Sequence, residues 1–508
     1  MLINQDQDNN SRVVVVGAGI GGLTAGALLA RRGYDVLVLD QALVPGGCAS
    51  TFKRRGFTFD VGATQVAGLE PGGIHHRIFQ ELEVDLPDST YCDPACAVYL
   101  PGENEPISVW RDPQKWQAER QRQFPGSEPF WQLMAKLFKV SWRFQGRDPV
   151  LPPRNLWDLW QLVSSVRPDT LFTVPFTFMT VGDALRLYGL YQDQRLKTFL
   201  DMQLKLYSQV NADETALLYA ATALGVSQAP LGLFHLAGSM QVLSDRLVEA
   251  LEKHGGKLLM RHTVEGIDAE SGKVTGVKIR NQKTGEIWTE AADHVVGNVT
   301  VQNLAKLLGK SATPPNYQRR VDKLPEASGA FVIYLGVDQK AIPTDCPPHL
   351  QFLYDYDGII GENNSLFVSV SKPGDGRAPE GQATIIASSF TNARMWFGGT
   401  EEDYQQRKQT YTEEAIARLS SYFHLTPENI IHQEAATPRT FAHFTARENG
   451  IVGGIGQRIS TFGPFGFANR TPINNLWLVG DSTHPGEGTA GVSYSALTVV
   501  RQIMAGGG

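Results

Sequence analysis

Residues 12–40, RVVVVGAGIGGLTAGALLARRGYDVLVLD, constrain this chain more than any other stretch. Val13 to Val16 form an unbroken apolar run, the pattern of a strand buried on both faces of a parallel sheet. Gly17-Ala18-Gly19 and Gly22 follow in G-x-G-x-x-G spacing, and Leu23, Leu28 and Leu29 carry a helix on to Gly33. A second strand, Val36 to Leu39, ends at Asp40, 18 residues beyond Gly22. Gly17 permits the tight turn, Gly19 lets backbone approach a pyrophosphate, and Gly22 lets helix pack on strand. The helix start offers free N–H groups to phosphates, and Asp40 can accept hydrogen bonds from an adenosine ribose. An acid at that place disfavours NADP without separating NAD from FAD. A dinucleotide-binding α/β unit is the reading these residues allow.

The other end of the chain carries a matching signal. In residues 476–500, LWLVGDSTHPGEGTAGVSYSALTVV, Leu476 to Val479 read as a buried strand ended by Gly480-Asp481. Gly486, Gly488 and Gly491 then precede a final helix, again a setting for a phosphate-like group. Pro45-Gly46-Gly47-Cys48 adds a second glycine pair just after Asp40, followed by GFTFDVGAT from Gly56 to Thr64. Both chain ends are therefore expected to build one site.

Taken together, these segments resemble the FAD-dependent carotenoid desaturases and isomerases, within the amine-oxidase-like flavoproteins, over essentially the whole chain. The carriers are GAGIGG, PGGCAST with GFTFDVGAT, the Gly238-Ser239-Met240 turn and GDSTHPGEGTAG. The resemblance implies FAD, and since no His or Cys sits in an evident covalent-attachment motif, noncovalent binding is expected. It sets Gly17, Ala18, Gly19 and Gly22 at the pyrophosphate, Asp40 on the ribose and Gly46-Gly47 along the cofactor. Backbone at Val264 would meet adenine, Gly480-Asp481 would hold the ribityl-phosphate side, and Gly488 would open the last helix. Many members have Arg after the glycine pair, where this chain has Cys48. A bound FAD then needs another positive group, and Lys53, Arg54 and Arg55 are close in sequence. GGCASTF with FDVGATQVAGLEPGGIHHRIF is similar to the cyanobacterial C-3′,4′ desaturase branch.

That branch implies a double bond introduced into an acyclic carotenoid end by hydride transfer to flavin, with quinone or oxygen as final acceptor. The substrate would lie in a long apolar tunnel, since a polyene offers nothing to hydrogen-bond along most of its length. His484 and Glu487 are the candidate proton acceptors, with plain loop hydrogen bonding as the alternative. A carotenoid cis–trans isomerase using reduced FAD is the competing enzyme. A prenyl-protein chaperone like the GDP-dissociation inhibitors is the non-enzymatic competitor.

The fold class implied is α/β: a discontinuous Rossmann-like FAD domain, a mixed-sheet substrate domain and a helical membrane-facing region. The FAD domain is assigned to 1–75, 235–300 and 436–508, the substrate domain to 76–234 and 301–435. Lys257 to Asp268 and Lys273 to Arg280 read as hairpin strands, and His294 to Asn298 as a return to the nucleotide sheet. Phe331 to Val337, Gln351 to Tyr356, Ser365 to Val370 and Ala383 to Ser389 supply a second sheet. Asp193 to Leu206 and Asp403 to Phe423 read as helices.

Between Phe130 and Pro168 stand Trp131, Trp142, Trp157 and Trp160, four of the nine tryptophans, among six Lys and Arg and only two Asp. The uncharged stretch Thr170 to Gly182 follows, broken by Pro175. Tryptophan with basic residues beside an apolar run suits a lipid headgroup boundary, so 130–182 is expected to form a membrane surface. A peripheral protein on the cytoplasmic side is the resulting expectation, because MLINQDQDNN is neither a secretory signal nor a transit peptide. Formal charge is −6, which argues against nucleic acid as a partner. Four cysteines make no disulfide framework, and CDPAC (Cys92, Cys96) lacks the histidine pair a zinc site would show, so no metal is expected.

Overall fold

The structure, a computed structural model, describes residues 11–506; the N-terminal segment 1–10 lies outside it. Strands β1 (Arg12–Val16), β2 (Asp35–Asp40), β3 (Lys257–Met260), β4 (His294–Gly297) and β5 (Leu476–Leu478) form one sheet in the order β3-β2-β1-β4-β5. Every pairing is parallel, with Val13 opposite Val36 on one side and His294 on the other. Val13 to Val15 are wholly buried, as the apolar run requires. Helix α1 (Ile20–Arg31) crosses from β1 to β2 and is buried along its length from Ile20 to Ala30. It is wedged between Gln241–Lys253 and the C-terminal helix Thr489–Met504. So the ends of the chain share one layer.

The hairpin expected from Lys257 is cut in two. Arg261 takes a left-handed φ of 60°, which ends β3 in the parallel sheet. His262–Glu270 then pairs antiparallel with Lys273–Asn281, and Ile287–Ala291 adds a third strand. The first piece carries a continuous apolar run, Leu258 to Met260, and only the second alternates.

A seven-stranded mixed sheet makes the second body. Its order is Ile430–Ala436, Gly329–Asp338, Gln382–Thr391, Ser365–Val370, His349–Leu353, Cys96–Tyr99, Ile107–Val109. The strands expected from Phe331, Gln351, Ser365 and Ala383 all fall in it, and the helix expected from Asp403 runs Glu401–Leu419 behind it. Residues 113–225 supply a helical cap, including α2 (Glu128–Gln145), α3 (Leu156–Ser165) and α4 (Gln194–Ser208), the last capped by Asp193.

The cap is fastened by two carboxylates, one half-buried and one buried. Asp148 accepts from Arg77 Nη2 (2.8 Å) and from the hydroxyl of Tyr494 (2.7 Å). Asp158 is completely buried, accepts from Gln502 Nε2 at 2.9 Å and lies 3.5 Å from Arg470. Around it α3 is turned inside out: Leu156, Leu159, Trp160 and Val163 face outward while Asp158 and Ser165 are its buried residues. The four tryptophans do not act alike, however. Trp131 is core, its indole donating to Ser127, whereas Trp142 and Trp157 are half-buried and Trp160 is 64% exposed. Leu171, Val174 and Phe178 extend the exposed apolar ridge. No helix among the described residues is long and apolar enough to cross a membrane.

Candidate functional site

The carboxyl ends of β1, β2 and β4 open into one cavity of about 2140 Å³ that continues under the cap. At its nucleotide end the geometry demands glycine. A side chain at Gly22 would overlap the carbonyl oxygen of Gly17, and one at Gly19 would come within 2.7 Å of Asn298 Nδ2. Gly46 has φ 115° and donates its N–H to the Ala18 carbonyl (2.8 Å), so the second glycine pair braces the first loop. Asp40 Oδ2 accepts from Ala18 N (2.7 Å) and Oδ1 from Ala42 N (2.8 Å). Burial raises its pKa, and the two N–H groups oppose that rise. Each oxygen keeps a second lone pair for a hydroxyl. Val264 lines the same cavity just before a bulge in its strand, as do Gly480 and Gly488, which caps the C-terminal helix. The structure therefore brings Gly17, Gly19, Asp40, Gly46, Gly47, Val264, Gly480, Asp481 and Gly488 onto one wall. Ala18 and Gly22 lie just behind it.

The cations near Cys48 are not those adjacent in sequence. Lys53 and Arg54 line the same cavity but are exposed, Arg54 lying 3.3 Å from Glu434, and Arg55 is exposed as well. Arg447 comes from far along the chain and reaches the cavity wall, its Nη2 2.5 Å from Asp481 Oδ2. Asn298, which follows β4 and donates to the Gly17 carbonyl at 3.4 Å, is a second residue that sequence reading missed. An Asn after a buried strand was the available signal for Asn298. Arg447 sits in an irregular link and had none.

The loop after Asp481 places His484 and Glu487 on the same cavity. His484 Nε2 pairs with Gln145 Oε1 of α2 at 2.9 Å, and Nδ1 has no hydrogen-bond partner among the described residues. Burial lowers its pKa to about 4, so it is neutral at physiological pH. Glu487 behaves oppositely. Its Oε2 accepts from Gln209 Nε2 (3.0 Å) and Gly454 N (3.1 Å), while Oε1 has no hydrogen-bond partner among the described residues. Burial lifts its pKa to about 7. A buried carboxyl with a pKa near 7 can exchange a proton near neutral pH.

Beyond Glu487 the walls turn apolar. Leu206, Tyr207, Tyr219, Phe367 and Phe390 line the inner stretch, and Trp142, Leu162, Val166, Leu171 and Val174 the outer one. The cavity thus joins a glycine-lined cradle to an apolar channel whose far end meets the exposed ridge of the cap.

Comparison with known proteins agrees with this anatomy. A family model described as flavin containing amine oxidoreductase matches residues 20–504. The chain is 28% identical over 501 residues to a chloroplastic prolycopene isomerase 2 of an Oncidium hybrid cultivar, covering 97% of this chain and 83% of that one. It is 26% identical to the zeta-carotene-forming phytoene desaturase of Myxococcus xanthus, covering 97% and 94%. Among solved structures, an oxidoreductase from Methanosarcina mazei superposes with a TM-score of 0.62 at 18% identity, covering 96% and 100%. The cyclohexylamine oxidase of Brevibacterium oxydans gives 0.60 at 15% identity, covering 97% and 100%. At those identities the structures speak for the fold.

Proposed function

This chain belongs to the flavin containing amine oxidoreductase family and is an FAD-dependent oxidoreductase; from that premise we propose that it is a carotenoid desaturase of the C-3′,4′ type. The observation that carries the reading is one continuous cavity, a glycine cradle continued by an apolar channel beneath the cap. The residues fit FAD: the cradle would close if Gly19 or Gly22 carried a side chain. Gly17, Ala18, Gly19 and the start of α1 would hold the pyrophosphate and Asp40 the ribose. Val264 would meet adenine, while Gly46, Gly47, Gly480, Asp481 and Gly488 would line the remaining length. When bound, FAD supplies the acceptor for the electron pair that leaves the substrate.

The protein's own work is placement and proton handling. The apolar channel excludes water and aligns an acyclic end. Glu487 Oε1 takes the proton left when a C–H bond is broken, and Gln209 and Gly454 fix the other oxygen. His484, neutral and tied to Gln145, holds the loop. Quinone or oxygen would be the final acceptor of those electrons. The exposed ridge of Leu159, Trp160, Val163 and Leu171 sits at a lipid surface, so that substrate passes from bilayer to channel.

A cis–trans isomerase is the second reading, favoured by the prolycopene isomerases among the relatives. The prenyl-protein chaperone falls away with membership of an enzyme family. FAD-loaded protein is incubated with monocyclic and acyclic carotenoids, with and without quinone, and products are weighed. Loss of two hydrogens and a red shift are expected. A product of unchanged mass, formed only with pre-reduced flavin, moves the protein to the isomerases.

A further inference from the structure

We propose that Arg447 is the cation that binds the anionic phosphate–ribityl stretch of the cofactor, in place of a basic residue after the glycine pair. The proposal rests on the placement of FAD along the two glycine loops. Arg447 follows the helix Pro438–Thr445, and Ala446, with a left-handed φ of 55°, turns the chain inward at that point. The guanidinium donates Nη1 to the Gly453 carbonyl (2.6 Å) and Nη2 to Asp481 Oδ2 (2.5 Å). Two anchors leave donors of the five-donor fork unspent. The side chain keeps 21% of its surface open and stands on the cavity wall.

Other cations of that wall are committed or remote. Arg77 pairs with Asp148, Arg143 lies 3.7 Å from Asp169 with 57% of its side chain exposed, and Lys306 is exposed. Arg447 is thus the cation fixed where the Gly46-Gly47-Cys48 turn, Gly453 and Asp481 meet. Its charge opposes the rise that burial imposes on the Cys48 thiol pKa, which marks how near the two lie. The thiol stays neutral and small, so it neither quenches the cation nor crowds it. Asp481 keeps the guanidinium from being a bare buried charge before cofactor arrives. Once phosphate is present, the fork can bind it while holding Asp481, since charge-assisted bonds to phosphate suit guanidinium geometry.

The test measures FAD affinity of apoprotein by quenching of flavin fluorescence, with circular dichroism as the check of folding. Arg447→Met strands Asp481, so the deciding comparison is Asp481→Asn against Asp481→Asn/Arg447→Met. A cofactor-binding Arg447 makes the double variant weaker by roughly 10- to 100-fold. Equal affinities would reduce Arg447 to a partner of Asp481 and overturn the proposal. Arg447→Lys keeps charge without the fork and should lose several-fold. Adding Cys48→Arg to the double variant should recover part of the loss, and no recovery would speak against a shared position. Gly19→Val separates the premise: FAD retained in that variant would overturn the placement along the glycine loops itself.

Discussion

Two helices of this protein obey opposite rules. Helix α1 is apolar and buried along its length from Ile20 to Ala30, packed between the parallel sheet and two other helices. Helix α3 hides Asp158 and Ser165 and turns Leu156, Leu159, Trp160 and Val163 outward, Leu156 being 85% exposed. The second arrangement forgoes the burial of those side chains, the main stabilising term of folding. The difference lies in what each helix turns outward: α1 hides its apolar side chains among its neighbours, whereas α3 presents an apolar ridge on the surface of the cap.

The largest effect belongs to the cofactor half. Gly22→Val drives a side chain into the Gly17 carbonyl, which is backbone and cannot step aside. Flavin binding should be abolished, read as colourless purified protein. Bound flavin in that variant would show that the turn does not govern the cradle.

Next comes the carboxyl where the two halves meet. Glu487 must be ionised to accept a proton, so turnover should rise as pH rises through about 7. Glu487→Gln should lower turnover by roughly 10²- to 10⁴-fold and remove that limb. Stability runs the other way. A pKa raised from 4.5 to about 7 on folding means a contribution fully present below 4.5 and lost as pH climbs towards 7. The melting temperature of the wild type should therefore decline across that window more than that of Glu487→Gln. A rate limb that survives the substitution would assign the proton to another group.

These effects also separate the features written into local sequence from those set by packing alone. The turn at Gly17–Gly22, the acid at Asp40 and the glycine loop at Gly480–Gly488 were legible because each stands beside a strand it terminates. Local pattern and tertiary place coincide there. Arg447 was illegible, since nothing in ARENG announces that the chain turns at Ala446 and enters the cavity. Gln209 was hidden for a related reason: it caps α4 in a left-handed conformation, φ 67°, usually left to glycine or asparagine. Trp131 misled, because Trp suits a core and a lipid interface equally. Composition identified the cap as unusual; only packing told which of its residues point outward.

A smaller loss should follow from unfastening the cap. Asp158→Ala removes the acceptor of Gln502 and leaves Arg470 buried without its carboxylate. Breaking such a pair costs about 3–5 kcal/mol, and denaturant unfolding should report it. Asp158→Asn keeps the shape and one acceptor oxygen, so it should cost less. If both variants unfold like the wild type, α3 is held by its neighbours and not by its buried acid.

The smallest effect is the one that bears most directly on the contrast between α1 and α3. Leu159→Ser and Trp160→Ser remove apolar surface that already faces outward, so the fold loses almost nothing. Each should weaken binding to anionic liposomes by about 1–2 kcal/mol, roughly 10-fold. Leu28→Ser, in α1, should do the reverse: destabilise the fold strongly through a buried polar group, with no separate effect on lipid. The same chemical change in two helices then gives opposite readouts. Liposome binding unchanged by the α3 pair, with melting temperature also unchanged, would mean that the ridge meets another protein instead. In that event the channel mouth at Leu162 and Val166 would open onto that partner and not onto a bilayer.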